Sequence, residues 1–350
     1  MITFKDYYQL ISEGGAAGHM AHPFDIPTIK TGSQLINAFN AIWKSVSKTP
    51  ASVKIDGVNV SFKVVGNEFA LDRGSMKPID VEGITASRIG ERFPEGHGMR
   101  DAAATMLAFL NEAFPDCVNE LKILGLLKNP NKFINAEYVS GGKTNVMVYE
   151  KNFLAFHGIN EFVQVTPTRR QSNEVAYNRS ALVKLAKKVK PYAAKYGFDV
   201  VTSVPTEVKG QPNFTTVLQS PVTINYGENN SVTKPLNEWL KQAKNPFGYM
   251  VKTTDGKKIG ALSKQVYMAL LNGTPLDQLV EDKKDYKLAI DGAMFYHATR
   301  LLGNEILNNL TSEMGDISNH EGIVVRDVFT RPVKITGEFI VKGLESAFRK

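Results

Sequence analysis

The order of hydrophobic periodicities along the chain constrains its fold most. Two-residue alternation fills the stretch from Ala51 to Phe156 around a helical interlude, loosens from Thr166 onward apart from a strand-rich Val200–Ile224, and returns in the last thirty or so positions. Strands far apart in sequence must then meet in one antiparallel arrangement, with the intervening chain standing aside as a lobe. Ala51–Val65 and Glu68–Arg73, separated by Gly66-Asn67, read as a hairpin. Lys132–Val139 and Asn145–Phe156 read as strands, as do Gly322–Val328, Val333–Thr336 and Glu338–Lys342. Asp101–Phe114 carries Met106, Leu107, Leu110 and Phe114 at helical spacing, and Val118–Leu127 reads as a second helix. Ser33 is placed to cap a helix through Leu35, Phe39 and Trp43.

The expected class is therefore α+β. Its parts are an N-terminal segment, 1–50, an antiparallel core from 51–165 and 320–350, and a largely helical insertion, 166–319. With 350 residues and 43% apolar content the core can be large without staples. The single cysteine, Cys117, excludes a disulfide framework and a cysteine-rich zinc site. No apolar run is long enough to span a bilayer, and the first residues lack the basic and apolar blocks of a secretory signal. The expected setting is cytoplasm, with no membrane partner. Forty-two Lys and Arg against 35 Asp and Glu leave a charge of +7, which suits a polyanionic partner and equally a basic enzyme.

The strongest local signal is Lys54-Ile55-Asp56-Gly57-Val58-Asn59. A covalent lysine nucleophile needs a strand end to fix its amine, a glycine for close backbone approach to phosphate, and polar groups beside the nucleotide. Gly57, Asp56 and Asn59 supply these. Taken alone, the same residues also describe a surface strand ending in an Asp-Gly turn. Further pieces follow in order: Asp72-Arg73-Gly74-Ser75, Asn135-Ala136-Glu137-Tyr138-Val139, Phe153-Leu154-Ala155-Phe156-His157, Glu321-Gly322-Ile323-Val324-Val325-Arg326 and Phe339-Ile340-Val341-Lys342-Gly343. Singly, Glu137 and Glu321 would be ordinary strand-edge carboxylates, Arg73 a turn arginine and Phe156 a core residue.

As an ordered set they resemble the covalent nucleotidyltransferase superfamily of ATP-dependent DNA ligases, RNA ligases and mRNA capping enzymes. The likeness covers roughly 51–160 and 320–343, and Asn59 in K-x-D-G-x-N makes it most similar to phage-type RNA ligases. The resemblance implies a ligase adenylation core, with ATP and Mg²⁺ (or Mn²⁺) as cofactors and nucleic acid, RNA favoured over DNA, as partner. It makes Lys54 the residue that attacks the α-phosphate, Lys342 and Mg²⁺ the charges that stabilise it, and Glu321 a metal-holding group. Glu137 would bind ribose or metal, and Arg73 ribose or phosphate. Phe156 would stack on adenine. A DNA ligase, a capping guanylyltransferase, or a non-catalytic nucleic-acid-binding protein that kept the fold are the alternatives.

Departures accompany the likeness. Ile340 stands where the last motif has its first lysine, and eight residues follow Lys342. No C-terminal substrate-binding domain is expected there, and the insertion could replace it. Within the insertion, Ser180–Tyr196 reads as a basic helix, which Pro191 would kink or split. Lys184, Lys187 and Lys188 on it, with Arg169 and Arg170 before it, are candidate phosphate contacts or a solvated helix face. His19, His22 and Asp25, beside the Gly14–Gly18 loop, are either a metal site or a satisfied loop pair. The N-terminal segment resembles those of large-phage proteins, which points to a bacteriophage and to host cytoplasm.

Overall fold

A computed structural model describes residues 20–143, 148–202, 204–247, 254–279 and 286–341. The class is α+β with antiparallel sheets, apart from one parallel strand pair. Two compact units divide the described chain: Ile55–Val204, and Met20–Lys54 with Pro205 onward. This replaces the expected partition. The chain from 166 to 204 belongs with the strands before it, and the strands at 52–54 and 322–335 belong with the helical part.

The Ile55–Val204 unit is built on a six-stranded sheet. Its path runs β3 (Glu68–Leu71), β2 (Val58–Val65), β4 (Lys132–Val139), β7 (Asn152–Thr166), β8 (Arg169–Glu174), and β9 (Phe198–Thr202) pairs parallel to β7. A short hairpin, β5 (Gly142–Lys143) and β6 (Val148–Tyr149), lies between β4 and β7. Alternation gives the sheet two unlike faces. Val60, Phe62 and Val64 of β2, Ile134 and Ala136 of β4, and Leu154 and Phe156 of β7 enter the core. They pack there with the helices Arg100–Ile123 and Arg179–Ala194.

Both helices run unbroken past an internal proline, Pro115 and Pro191. The apolar stripes Leu110, Phe114, Cys117, Leu121 and Leu182, Leu185, Val189, Ala193 stay in step across each one. Packing thus holds each segment as one helix, where the sequence suggested two helices at the first and a kink at the second.

The other face is polar and tied together. Asp72, 1% exposed, accepts from Lys63 Nζ at 3.0 Å, from Arg170 Nη1 at 2.9 Å and from the Gly74 amide at 2.8 Å. Arg170 also stacks over Phe162, 4.2 Å from the ring centroid. This buried network fixes the loop that carries Arg73. Removing one partner of a buried ion pair costs about 3–5 kcal/mol. Arg170→Ala is therefore expected to lose that order of stability in a denaturant titration, while Arg169→Ala, at an exposed position, changes it little.

In the second unit the Gly32–Val46 helix is capped by Thr31, not Ser33: the Thr31 side chain accepts from the Gln34 amide, and the Gln34 side chain answers to the Thr31 amide. That helix packs with Leu236–Gln242 and Tyr286–Leu307, and the last of these also with Thr254–Asn272. Phe24, Phe247, Tyr267 and Tyr296 form an aromatic cluster. Around the helices stand β11 (Pro221–Gly227) with β12 (Asn230–Pro235), and β10 (Glu207–Val208), β13 (Leu310–Ser312) and β14 (Gly315–Asp316).

A three-stranded antiparallel sheet completes the unit, in the order β1 (Ser52–Lys54), β15 (Gly322–Val325), β16 (Val333–Ile335). The expected strand at 338–342 is absent: the chain turns at Gly337, φ +49°, and 339–341 is helical. Among the described residues no helix is long and apolar enough to cross a membrane.

Candidate functional site

The candidate residues fall into two groups, one in each unit. The first lies on the β1-β15-β16 sheet. Lys54 ends β1 opposite Gly322, and Gly322 has φ +137°. A Cβ there would sit 1.9 Å from the Ile335 carbonyl oxygen, so only glycine lets β16 pass this close. That passage sets Glu321 beside Lys54, with Nζ to Oε2 at 2.5 Å and the side chains 20% and 16% exposed. Sequence reasoning missed a third member, Lys334, which is paired to Val324 in the middle of β16.

Burial pushes the Lys334 ammonium down to about 8. The Lys54 charge works in the same direction, against Glu321 and Asp25. Lys264, on the Thr254–Asn272 helix, is likewise lowered by burial to about 8, opposed by Asp25. Burial raises Asp25, partly offset by the His22 amide that donates to it at 2.8 Å. Four cations, Lys54, Lys264, Lys334 and Arg331, thus gather around two carboxylates. Arg326, the last residue of its motif, donates to Ser52 Oγ at 3.2 Å and ties β15 to β1.

The second group lies on the polar face of the six-stranded sheet. The Gly57 amide donates to Glu137 Oε1 at 2.8 Å, and a Cβ on Gly57 would meet the Tyr138 carbonyl oxygen at 2.5 Å. The Asp56 amide donates to the Tyr149 hydroxyl at 3.0 Å. Asn59 Nδ2 donates to Asn135 Oδ1 at 2.8 Å, and Arg73 Nη1 donates to the Asn59 carbonyl at 3.0 Å. Asn59 Oδ1 is buried with no hydrogen-bond partner among the described residues. Burial also lowers Arg73, with a smaller push from the charge of Arg92.

A bulge in β7 breaks the register between Asn135↔Gly158 and Ala136↔Phe156. His157, the extra residue, brings Nε2 within 3.2 Å of Glu137 Oε2. Sequence reasoning did not single it out. With one oxygen on Gly57 and the other facing His157, Glu137 anchors the turn through hydrogen bonds. Glu321 has the chemistry to hold a metal. One carboxylate together with substrate phosphates is the donor set Mg²⁺ takes.

Several expectations are corrected. Phe156 is fully buried in the core, so it does not stack on a base. Its near neighbour Phe153 lies on the face of Glu137, 5.3 Å from the Tyr149 ring in an edge-on contact. Counting by twos from Ala155, the partner of Glu137, would have chosen Phe153. Arg170 is sequestered by Asp72, its side chain 5% exposed, and does not offer itself to a polynucleotide. Lys188 bonds Glu120 at 2.7 Å and the Asp116 carbonyl at 2.8 Å, joining the two helices. Lys184, Lys187 and Arg169 are exposed.

Lys342, His19 and the Gly14–Gly18 loop lie outside the described residues. His22 stacks on Phe24 and its amide caps Asp25, and no cluster of three or more metal-ligating side chains is found among the described residues. No family model, no curated protein and no solved structure matches this chain.

Proposed function

We propose that the chain is an ATP-dependent adenylyltransferase of the RNA-ligase kind, working through a covalent lysyl-AMP at Lys54. The observation that carries this is the trio Lys54, Glu321 and Lys334, brought together by three strands from two distant stretches of sequence. A strand-end lysine with a partner acid and a second buried cation is the equipment of a nucleophilic amine. Lys54 Nζ attacks the α-phosphate of ATP. A P–N bond forms, the bond to the bridging oxygen breaks, and pyrophosphate leaves with the electron pair.

Attack needs the neutral amine, so the Lys54 proton, shared with Glu321 at 2.5 Å, has to leave before the P–N bond forms. Lys334 takes the role first given to Lys342: it meets the charge that grows on the phosphate oxygens. Mg²⁺, held by Glu321 and the phosphates, would supply Lewis-acid stabilisation of the same charge. The other residues that the resemblance implies for nucleotide binding, Asp56, Gly57, Asn59 and Arg73, lie in the Ile55–Val204 unit, tied to one another, to Glu137 and to Tyr149 by hydrogen bonds of that unit.

Incubation with α-labelled ATP, GTP or NAD, followed by denaturation, tests the nucleotide: ATP alone should leave its label on the protein. Label from GTP alone would instead favour a capping guanylyltransferase. RNA is the acceptor favoured by Asn59, and the exposed Lys184, Lys187 and Arg169 are its candidate contacts. Neutralising Lys184 and Lys187 together should weaken binding of single-stranded RNA severalfold and reduce its salt slope by about one to two. An unchanged slope would remove that helix from the interface.

A further inference from the structure

Glu321 meets Lys54 just after the chain has left a turn, and holding a carboxylate there takes an anchor on each side. Gly322 gives the anchor that follows, through its close passage of the Ile335 carbonyl oxygen. The residue that precedes, His320, is 8% exposed, and its Nε2 stands 3.0 Å from the Met314 carbonyl oxygen. A carbonyl oxygen only accepts, so Nε2 is the protonated ring nitrogen and donates. Nδ1 is buried with no hydrogen-bond partner among the described residues, so the bond to Met314 is the ring's polar tie.

The far end of that tie is itself fixed. Met314 lies in the turn between β13 and β14, where its amide donates to Ser312 Oγ at 3.1 Å and Gly315 takes φ +96°. A single 3₁₀ turn, Ile317–Asn319, follows and is closed by the His320 amide, which donates to the Ile317 carbonyl at 2.9 Å. Ile317 is fully buried. His320 leaves this turn with extended backbone, φ −112° and ψ 167°. Successive side chains of extended chain point to opposite sides. A His320 ring turned in to Met314 therefore sends the next side chain, Glu321, the other way, where Oε2 meets Lys54 Nζ at 2.5 Å.

We infer that His320 is a positioning residue for adenylyl transfer, its Nε2 bond to the Met314 carbonyl holding the Glu321 carboxylate against Lys54. The effect on rate rests on the adenylyl-transfer reading. The placement of the carboxylate does not.

The test treats the full chain with a water-soluble carbodiimide, which joins an amine to a carboxylate in contact, and the Lys54–Glu321 isopeptide is quantified by mass spectrometry. Wild type should form it. His320→Leu fills the space without a donor and should lower the yield severalfold while its thermal unfolding shows a folded protein. His320→Gln carries an amide nitrogen at the reach of Nε2 and should restore the yield. If His320→Leu unfolds, His320→Asn, whose amide is too short for Met314, takes its place. In single-turnover labelling at saturating ATP the same variant should be slower by about tenfold, with the half-saturating ATP concentration unchanged. On a Glu321→Ala background it should add no further loss, since His320 acts through that carboxylate. If wild type never labels, the cross-link alone decides the positioning role, and the failure belongs to the adenylyl-transfer reading. Absence of the cross-link in wild type, or wild-type yield in folded His320→Leu, would overturn the role, as would an equal rate loss on the Glu321→Ala background.

Discussion

Lys54→Ala should abolish covalent labelling by α-labelled ATP while the protein keeps its fold. The side chain lies at the end of β1, is only partly buried, and leaves Glu321 near Lys334 when it is removed. No other group stands where Lys54 does on β1, opposite Gly322, so the loss should be complete rather than graded. Lys54→Arg should fail as completely, because a guanidinium stays protonated and does not attack phosphorus. Thermal unfolding of both variants separates loss of the nucleophile from loss of structure. Label retained by folded Lys54→Ala would move the chemistry elsewhere.

Glu321→Ala has the second-largest expected effect, a fall of about two orders of magnitude in the rate of adenylylation, comparable with losing one preorganised electrostatic contact. Two consequences combine in it. The carboxylate at 2.5 Å no longer positions the Lys54 amine, and the one acid of this trio that suits Mg²⁺ is gone. Single-turnover labelling at saturating ATP isolates the step from nucleotide binding. Wild-type kinetics in this variant would show that the ion pair is structural.

What was readable in the sequence was local. Lys54-Ile55-Asp56-Gly57 and Glu321-Gly322 could be found because their glycines answer to contacts with named backbone atoms, the Tyr138 and Ile335 carbonyl oxygens. The helix stripes could be found because their period matches the buried face. Lys334 was missed because no local pattern points to it: it sits in the middle of β16, and only the pairings of β15 with β16 and with β1 put it on the sheet of Lys54 and Glu321.

Phe156 was chosen over Phe153 because an aromatic-rich strand looks alike from both sides until one pairing, Glu137↔Ala155, fixes which side is which. Arg170 and Lys188 looked like solvent-facing cations. Their partners, Asp72 and Glu120, are 98 and 68 residues away, beyond any local pattern. The partition failed for the same reason: Lys54 and Glu321 are 267 residues apart, and only their pairing reveals that β1 belongs with the chain's end.

The account turns on one covalent bond, so the most direct measurement locates it. The full chain is incubated with ATP and Mg²⁺, digested under conditions that preserve phosphoramidates, and its peptides are mapped by mass spectrometry. The account predicts one adenylyl group per chain, on Lys54, with release of an equal amount of pyrophosphate. An adduct on another residue, or pyrophosphate release with no adduct at all, would contradict it.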